Sequence, residues 1–361
     1  MAYTTIDNPE LNFQTKLHSG TGAENAITLD GSENMQPDWI WLKSRSQDKN
    51  HFVQDVVRGI TYQLRPSATN AENNYSQYVK SVQSDGFTLG TDPDINNNGS
   101  TYVSWNWKAG GSASSNSNGG ITSSVSANAT AGFSIVSWTG NGSDATVGHG
   151  LSSAPQMYVV KNRSDSADWR VGQTVAGNTM TAGNGYYMEW NDDKASTNPG
   201  SAVTWGSTPT APTSTVFTVG SNNAHNGSSD NMIAYCFHSV KGYQKIGVYT
   251  GNGSQDNGPF IYTGFRPAFV FTKRVDSTSS WGMLDNKRPG TNLTKLYVLT
   301  DRTQAEADDG SWGMDLFSNG WKARYNNGNF NASGGTYLYW AIANAPFVNS
   351  KGVPATARGS E

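Results

Sequence analysis

One short turn is spelled three times in this chain, and each spelling opens the same longer pattern. Residues Tyr249–Ser254 read YTGNGS, Trp138–Ser143 read WTGNGS, and Ser19–Glu24 carry a weaker echo, SGTGAE. Downstream of each comes a proline, a short apolar run and a lysine six residues past the proline: Pro37 and Lys43, Pro155 and Lys161, Pro267 and Lys273. Counted from Thr21, Thr139 and Thr250, the proline follows at 16, 16 and 17 residues. Fourteen residues past the proline stand Trp169 and Trp281, with His51 at that place in the first copy. The prolines are 118 and 112 residues apart, a domain-sized period far beyond the roughly 20–50 residues of solenoids and propeller blades.

Each copy also closes alike. Val103, Trp105 and Trp107 alternate with Tyr102, Ser104 and Asn106; Ile233, Tyr235 and Phe237 alternate with Ala234 and Cys236; Leu338, Trp340 and Ile342 alternate with Tyr339 and Ala341. A period of two marks a strand with one face on a core. The runs behind the prolines (WIWLK, MYVVK, FVFTK) are apolar at consecutive positions, as suits a strand covered on both faces. The fold expected is all-β: three tandem homologous β-sandwich domains, lectin-like or jelly-roll-like, with short arms. The expected boundaries are an N-terminal arm at 1–16, sandwiches at 17–110, 121–240 and 241–346, a flexible Gly/Ser linker at 111–120 and a tail at 347–361. The seven residues joining the second and third sandwiches should hold those two more rigidly. The only stretch that reads as one or two helical turns is 70–82.

Composition fits many short strands joined by turns. Glycine supplies 40 of 361 residues, charged residues only 15%, and aromatics 11% with 12 Trp, which is not the make-up of a disordered chain. The net charge of −3 is spread without blocks, so no basic stripe offers itself to phosphates and nucleic acid is not an expected partner. The single cysteine, Cys236, makes no intrachain disulfide and falls where a small filler is expected. The opening MAYTTIDNPELNF lacks the charged start and apolar core of a secretory signal, and no apolar run reaches 18 residues, so no membrane insertion is expected.

Chemistry is hard to find. The five histidines do not pair at ligand spacing, so no metal is expected. Asp94, Asn96, Asn98 and Gly99 open like a calcium loop, but Trp105 stands where the bidentate Glu belongs, and an Asx-rich turn is the simpler reading. No nucleophile elbow is present. The doublets Asp192-Asp193 and Asp308-Asp309 each supply at most one member of a facing carboxylate pair, because neighbours on a strand point apart. His149 reads as a turn histidine rather than a base. Lys43, Lys161 and Lys273 read as strand-end lysines with stems on the core and amines wet or paired. Trp190, Trp205, Trp312 and Tyr325 lie in loops and are the candidates for stacking on sugar rings. No catalytic residue and no cofactor are assigned.

Taken together, TGNGS, APQMYVVKNR, SDGFTLG, YVSWNWKAGG, IAYCFHSVKGY, YTGFRPAFVFTKR and NASGGTYLYWAIANAPFVNSKGVPATAR resemble a family of structural proteins of marine bacteriophages, of the cyanophage and pelagiphage kind, labelled tail-fibre-like or concanavalin-like lectins. The resemblance runs from about Thr15 to Arg358 and carries no catalytic or ligand residues with it. It implies a non-enzymatic protein of the virion surface, assembled in the host cytoplasm, in a tail fibre or baseplate. Implied partners are other virion proteins, copies of itself (a trimer by analogy with fibres) and host surface glycans. A capsid-decorating head fibre is the variant within that class, and a tail-spike polysaccharide depolymerase is the enzymatic rival.

Overall fold

Each apolar run behind a proline becomes a strand buried on both faces in the computed structural model, which describes residues 3–177, 180–181, 184–198 and 204–354. The chain is nearly all β, in antiparallel sheets. Within each copy, four strands line up in one order: opening, closing, proline strand and return. These are Phe13–Ser19, Thr101–Trp107, Trp39–Ser44 and Phe52–Asp55 in the first copy. They are Phe133–Thr139, Asn231–Phe237, Met157–Asn162 and Arg170–Gln173 in the second. In the third they are Gln244–Thr250, Thr336–Pro346, Phe265–Arg274 and Gly282–Asp285. A smaller sheet covers one side of each, such as Asn25–Thr28, Gly86–Leu89 and Val79–Gln83 in the first copy.

The second cover is what the sequence pattern did not foretell. Ile40 and Leu42 face the first copy's own small sheet, and Tyr158 and Val160 face the second copy's. Trp39, Trp41, Met157, Val159, Phe269 and Phe271 point the other way, into one core shared by all three copies. The closing strands follow the same rule: Ile233, Tyr235 and Phe237 enter the shared core, while Met232, Ala234 and Cys236 enter the second copy's own. In the first two copies the two faces therefore serve two cores rather than core and solvent, while in the third both faces join the shared core.

Aromatic contacts join every pair of copies. Trp39 stacks on Tyr235 with ring centroids 4.6 Å apart, Trp107 on Trp340 at 5.6 Å, and Phe237 meets Trp340 at 4.3 Å. Such pairs add about 0.5–1.5 kcal/mol each beyond the area they bury. The first copy thus packs against both others as they pack against each other, despite the Gly/Ser-rich stretch that follows it.

The repeated turn is held by one device. An asparagine at the end of a single helical turn, or at the matching place, reaches the turn from beneath: Asn96, Asn226 and Asn331, all fully buried. Its Oδ1 accepts the N–H of Thr21, Asn141 or Asn252, and its Nδ2 donates to the carbonyl of Ala23, Ser143 or Ser254. The first glycine of each turn cannot carry a side chain: a Cβ on Gly20, Gly140 or Gly251 would sit 2.2, 2.1 or 2.3 Å from a backbone oxygen. The second has positive φ, +70°, +66° and +68° at Gly22, Gly142 and Gly253. Structural register thus pairs Ser19, not Thr21, with Thr139 and Thr250.

Several boundaries move. The first opening strand begins at Phe13, inside the expected arm, and ahead of it Tyr3 and Thr4 dock on the third copy of the same chain and Asp7 on the tail at Ser350. Ser114–Asn116, inside the expected linker, forms an edge strand on Ser123–Asn128. The stretch at 70–82 is extended, with Asn73–Asn74 and Val79–Gln83 in strands; tertiary pairing overrides its weak helical pattern. Residues 1–2 of the arm and 355–361 of the tail lie outside the described residues.

Candidate functional site

The repeated lysines converge on joints between copies. The stems of Lys43, Lys161 and Lys273 are fully buried, and their amines are buried too, not wet. Lys43 Nζ donates to the carbonyls of Ser44 and Thr303, Lys273 Nζ to those of Arg274 and Asp193, and Lys161 Nζ to those of Asn162 and Asp165. Burial pulls each amine down to about 8. Beside each lysine a ring N–H reaches a loop of the neighbouring copy. Trp169 Nε1 donates to Arg65 O, and Trp281 Nε1 to Glu189 O, at 2.9 and 2.7 Å. His51 fills the same place: its Nδ1 accepts from Trp41 Nε1, which leaves Nε2 as the donor to Leu299 O at 2.9 Å. The first copy's departure from tryptophan thus keeps the bond. The handover is cyclic, with the first copy gripping the third, the second the first and the third the second.

Two of the three joints carry buried charge. Arg58 lies between Asp55 and Glu72, and Arg163 of the second copy closes on Glu72. Arg288, Asp285, Glu306 and Arg45 repeat this between the third and first copies. At the remaining joint the matching residues are Gln173, Ala176, Ser196 and Val275, tied by the Ser196 N–H to Val275 O bond at 2.9 Å.

The sugar-stacking candidates divide sharply. Trp190 is fully buried where the three copies meet, against Trp41, Trp169 and Phe271. Trp205 is fully buried on Tyr158, with its Nε1 on Tyr186 O. Trp312 packs between Tyr297 and Phe330, in space that Gly282 leaves by lacking a Cβ. These three are corrected from surface to interior: the loops fold under the sheets because an indole gains more by burial than a loop loses. Tyr325 alone keeps partial exposure, at φ +64° against Gly313. The structure does not bring the four together.

Other candidates are occupied. His149 is buried, its Nδ1 accepting the Leu151 N–H and its Nε2 donating to Thr213 O, so no lone pair is left for a base. Burial pushes the Cys236 thiol well up and leaves it inert. In the calcium-like stretch, Asn96 is consumed by the turn and Asp94 pairs with Lys49 at 2.8 Å. Among the described residues no group of three acids, histidines or cysteines is placed to hold a metal.

Three clefts among the described residues bear on function. One of about 230 Å³ gathers Asp192, Asp193 and Asp301 with Asn191 and Arg302. Its acids are engaged: Asp192 with Lys194, Asp193 with Arg302, and Asp301 with the N–H of Trp281 and the hydroxyl of Ser280. A second, of about 460 Å³, lies beside Trp205 with Asn141, Asp144 and Thr146. The third, of about 510 Å³, opens where the N-terminal segment crosses the junction of the second and third copies, between Tyr3 and Tyr262. Sequence patterns hid this last cleft because its walls come from places 259 residues apart.

A family model described as a domain of unknown function (DUF7483) matches residues 8–346. The chain belongs to that family. The DUF7483 match runs through all three copies, as the shared core does. No curated protein and no solved structure matches the chain.

Proposed function

We propose that this DUF7483 chain is a non-enzymatic structural protein of a bacteriophage virion surface, in a tail fibre or baseplate, that contacts host glycans. The observation that carries the reading is the fate of the repeated polar residues. Lysine, tryptophan and arginine–carboxylate sets that could have served chemistry are spent on joining three copies into one body. A body cross-tied in this way suits a particle that must persist outside cells, and the resemblance of its motifs to marine phage fibre proteins supports the same reading. Self-association and contacts with other virion proteins belong to the proposal.

Gold-labelled antibody against the purified chain, viewed on intact particles by electron microscopy, tests it. Label on tail fibres or baseplate is the expected result; label on the head would move the protein to capsid decoration, and particles without label would end the reading. The depolymerase alternative predicts new reducing ends when the chain meets host polysaccharide. The ion-paired state of the acids in the 230 Å³ cleft speaks against it.

A further inference from the structure

We infer that the cleft between Tyr3 and Tyr262 is a binding site for an acidic saccharide, one bearing a carboxylate or a sulfate. The inference rests on the glycan-contact reading above and gives it a place and a ligand class. The cleft, about 510 Å³, is of the size that takes small ligands. Its wall is mixed in chemistry but one-sided in charge, for two lysines line it and no carboxylate does. In a chain of net charge −3 that local excess favours an anion.

The two amines stand over aromatic faces. Lys241 Nζ lies 4.6 Å from the centre of the Tyr3 ring, and Lys245 Nζ lies 5.4 Å from that of Tyr262. Lys245 also donates to Tyr262 O at 2.7 Å, which fixes its stem and leaves two N–H groups for a ligand. Burial lowers the Lys245 amine, so an arriving anion meets a partly desolvated cation, where a charge-assisted bond is stronger than in water.

The remaining wall suits hydroxyl groups. Tyr3 OH donates to Gly264 O at 2.8 Å, so the contact of 3.2 Å between the two tyrosine hydroxyls has Tyr262 as donor and leaves both oxygens able to accept. Gln156 gives its oxygen to the Ser239 N–H and keeps its NH₂ group as a donor. The Tyr262 side is half-exposed, at 48%, and Phe260, two residues along the same strand face, is exposed equally. Amines for the acid group, hydroxyls and an amide for the ring oxygens, and an exposed aromatic edge for the pyranose face are the parts such a ligand needs.

The test uses the full chain and isothermal titration with a galacturonate tetrasaccharide, a sulfated galactan tetrasaccharide, a neutral galactan tetrasaccharide and free sulfate. Binding by at least one acidic tetrasaccharide is expected, with weakening of about tenfold or more in Lys245→Gln and in Tyr262→Ala. Lys80→Gln, on the first copy's strand Val79–Gln83 and outside the cleft, should bind as the parent does, and the thermal midpoints of all three variants show whether they remain folded. Which acidic probe binds distinguishes carboxylate from sulfate recognition. Equal binding of the neutral sugar, equal binding of free sulfate, or acidic binding that survives Lys245→Gln would overturn the site while leaving glycan contact elsewhere on the molecule standing. Failure of every saccharide would remove both.

Discussion

Glu72 is the residue whose loss should tell most about how the copies are joined. Its carboxylate is nine-tenths buried and receives Arg58 Nη1 at 2.9 Å, Arg163 Nε at 2.9 Å and Arg163 Nη2 at 2.8 Å. Arg58, itself fully buried, is penalised by burial, and Asp55, Tyr235 and Glu72 outweigh that penalty and hold it charged. Asp55 and Glu72 balance Arg58 and Arg163, so Glu72→Ser leaves one buried positive charge without a counter-ion. Removing one partner of such a set costs about 3–5 kcal/mol. Arg163 is 14% exposed and can turn partly to water, which favours the lower figure. The chain holds its own control in the joint built from Gln173, Ala176, Ser196 and Val275. Copying it, as Asp55→Gln, Arg58→Ala, Glu72→Ser and Arg163→Val together, removes every charge at once, keeps an acceptor for the Tyr235 hydroxyl and preserves the backbone bond from residue 72 to residue 163. Whole buried ion sets replaced by apolar groups are often neutral, so the quadruple variant should lie within about 1.5 kcal/mol of the parent. Urea unfolding followed by tryptophan fluorescence and far-ultraviolet dichroism measures both. A quadruple variant no better than Glu72→Ser, or a Glu72→Ser loss under about 1 kcal/mol, would refute the reasoning.

Three further outcomes follow from the same geometry. The lysines at the joints are depressed to about 8 in the folded state, so between pH 8 and 10 the unfolded chain holds more protons and stability should rise with pH. Unfolding at pH 7.5 and 9.5 checks the sign, and Lys43→Met should flatten the rise. Gly140→Ala, which places a Cβ 2.1 Å from the Gly227 carbonyl oxygen, should lower the melting temperature far more than Gly99→Ala, where φ is +77° but the space is open and only about 1 kcal/mol is at stake. His51→Phe keeps a ring in place but strands the Trp41 N–H and frees Leu299 O, and should cost about 2–4 kcal/mol by the same urea assay.

The strands were legible because their pattern is a local matter. MYVVK announces a strand covered twice, and Val103, Trp105 and Trp107 announce a buried face. What covers a face is not local. Nothing near Trp39 says that Tyr235 will lie against it. Trp190 misled for the complementary reason: EWNDD has the composition of a solvent loop, yet that loop is the surface that Trp281 and Lys273 grip. The shift at the first turn came from matching Thr21 to Thr139 by letter. The spacing of the two glycines, one needing room and the other positive φ, carries the true alignment at Gly20 and Gly22. The cleft between Tyr3 and Tyr262 left no trace at all, since neither segment is unusual alone.

The gripped loops also explain why a strong repeat coexists with weak overall likeness between the copies. What the neighbouring lysine and ring N–H seize is backbone carbonyl oxygen, at Arg65, Glu189, Leu299, Thr303 and Asp193. A carbonyl is present whatever the side chain, so RPSAT, EWNDD and LTDRT all serve as receptors for a ring N–H, joined by a lysine amine at EWNDD and LTDRT, whereas Lys161 keeps its bonds within the second copy. Within this chain the gripping positions therefore repeat while the gripped ones differ. Because each copy grips one neighbour and is gripped by the other, the cycle closes at three within a single chain and leaves no open joint of this kind. Association with further copies or with other proteins would then fall to the outer sheets and clefts.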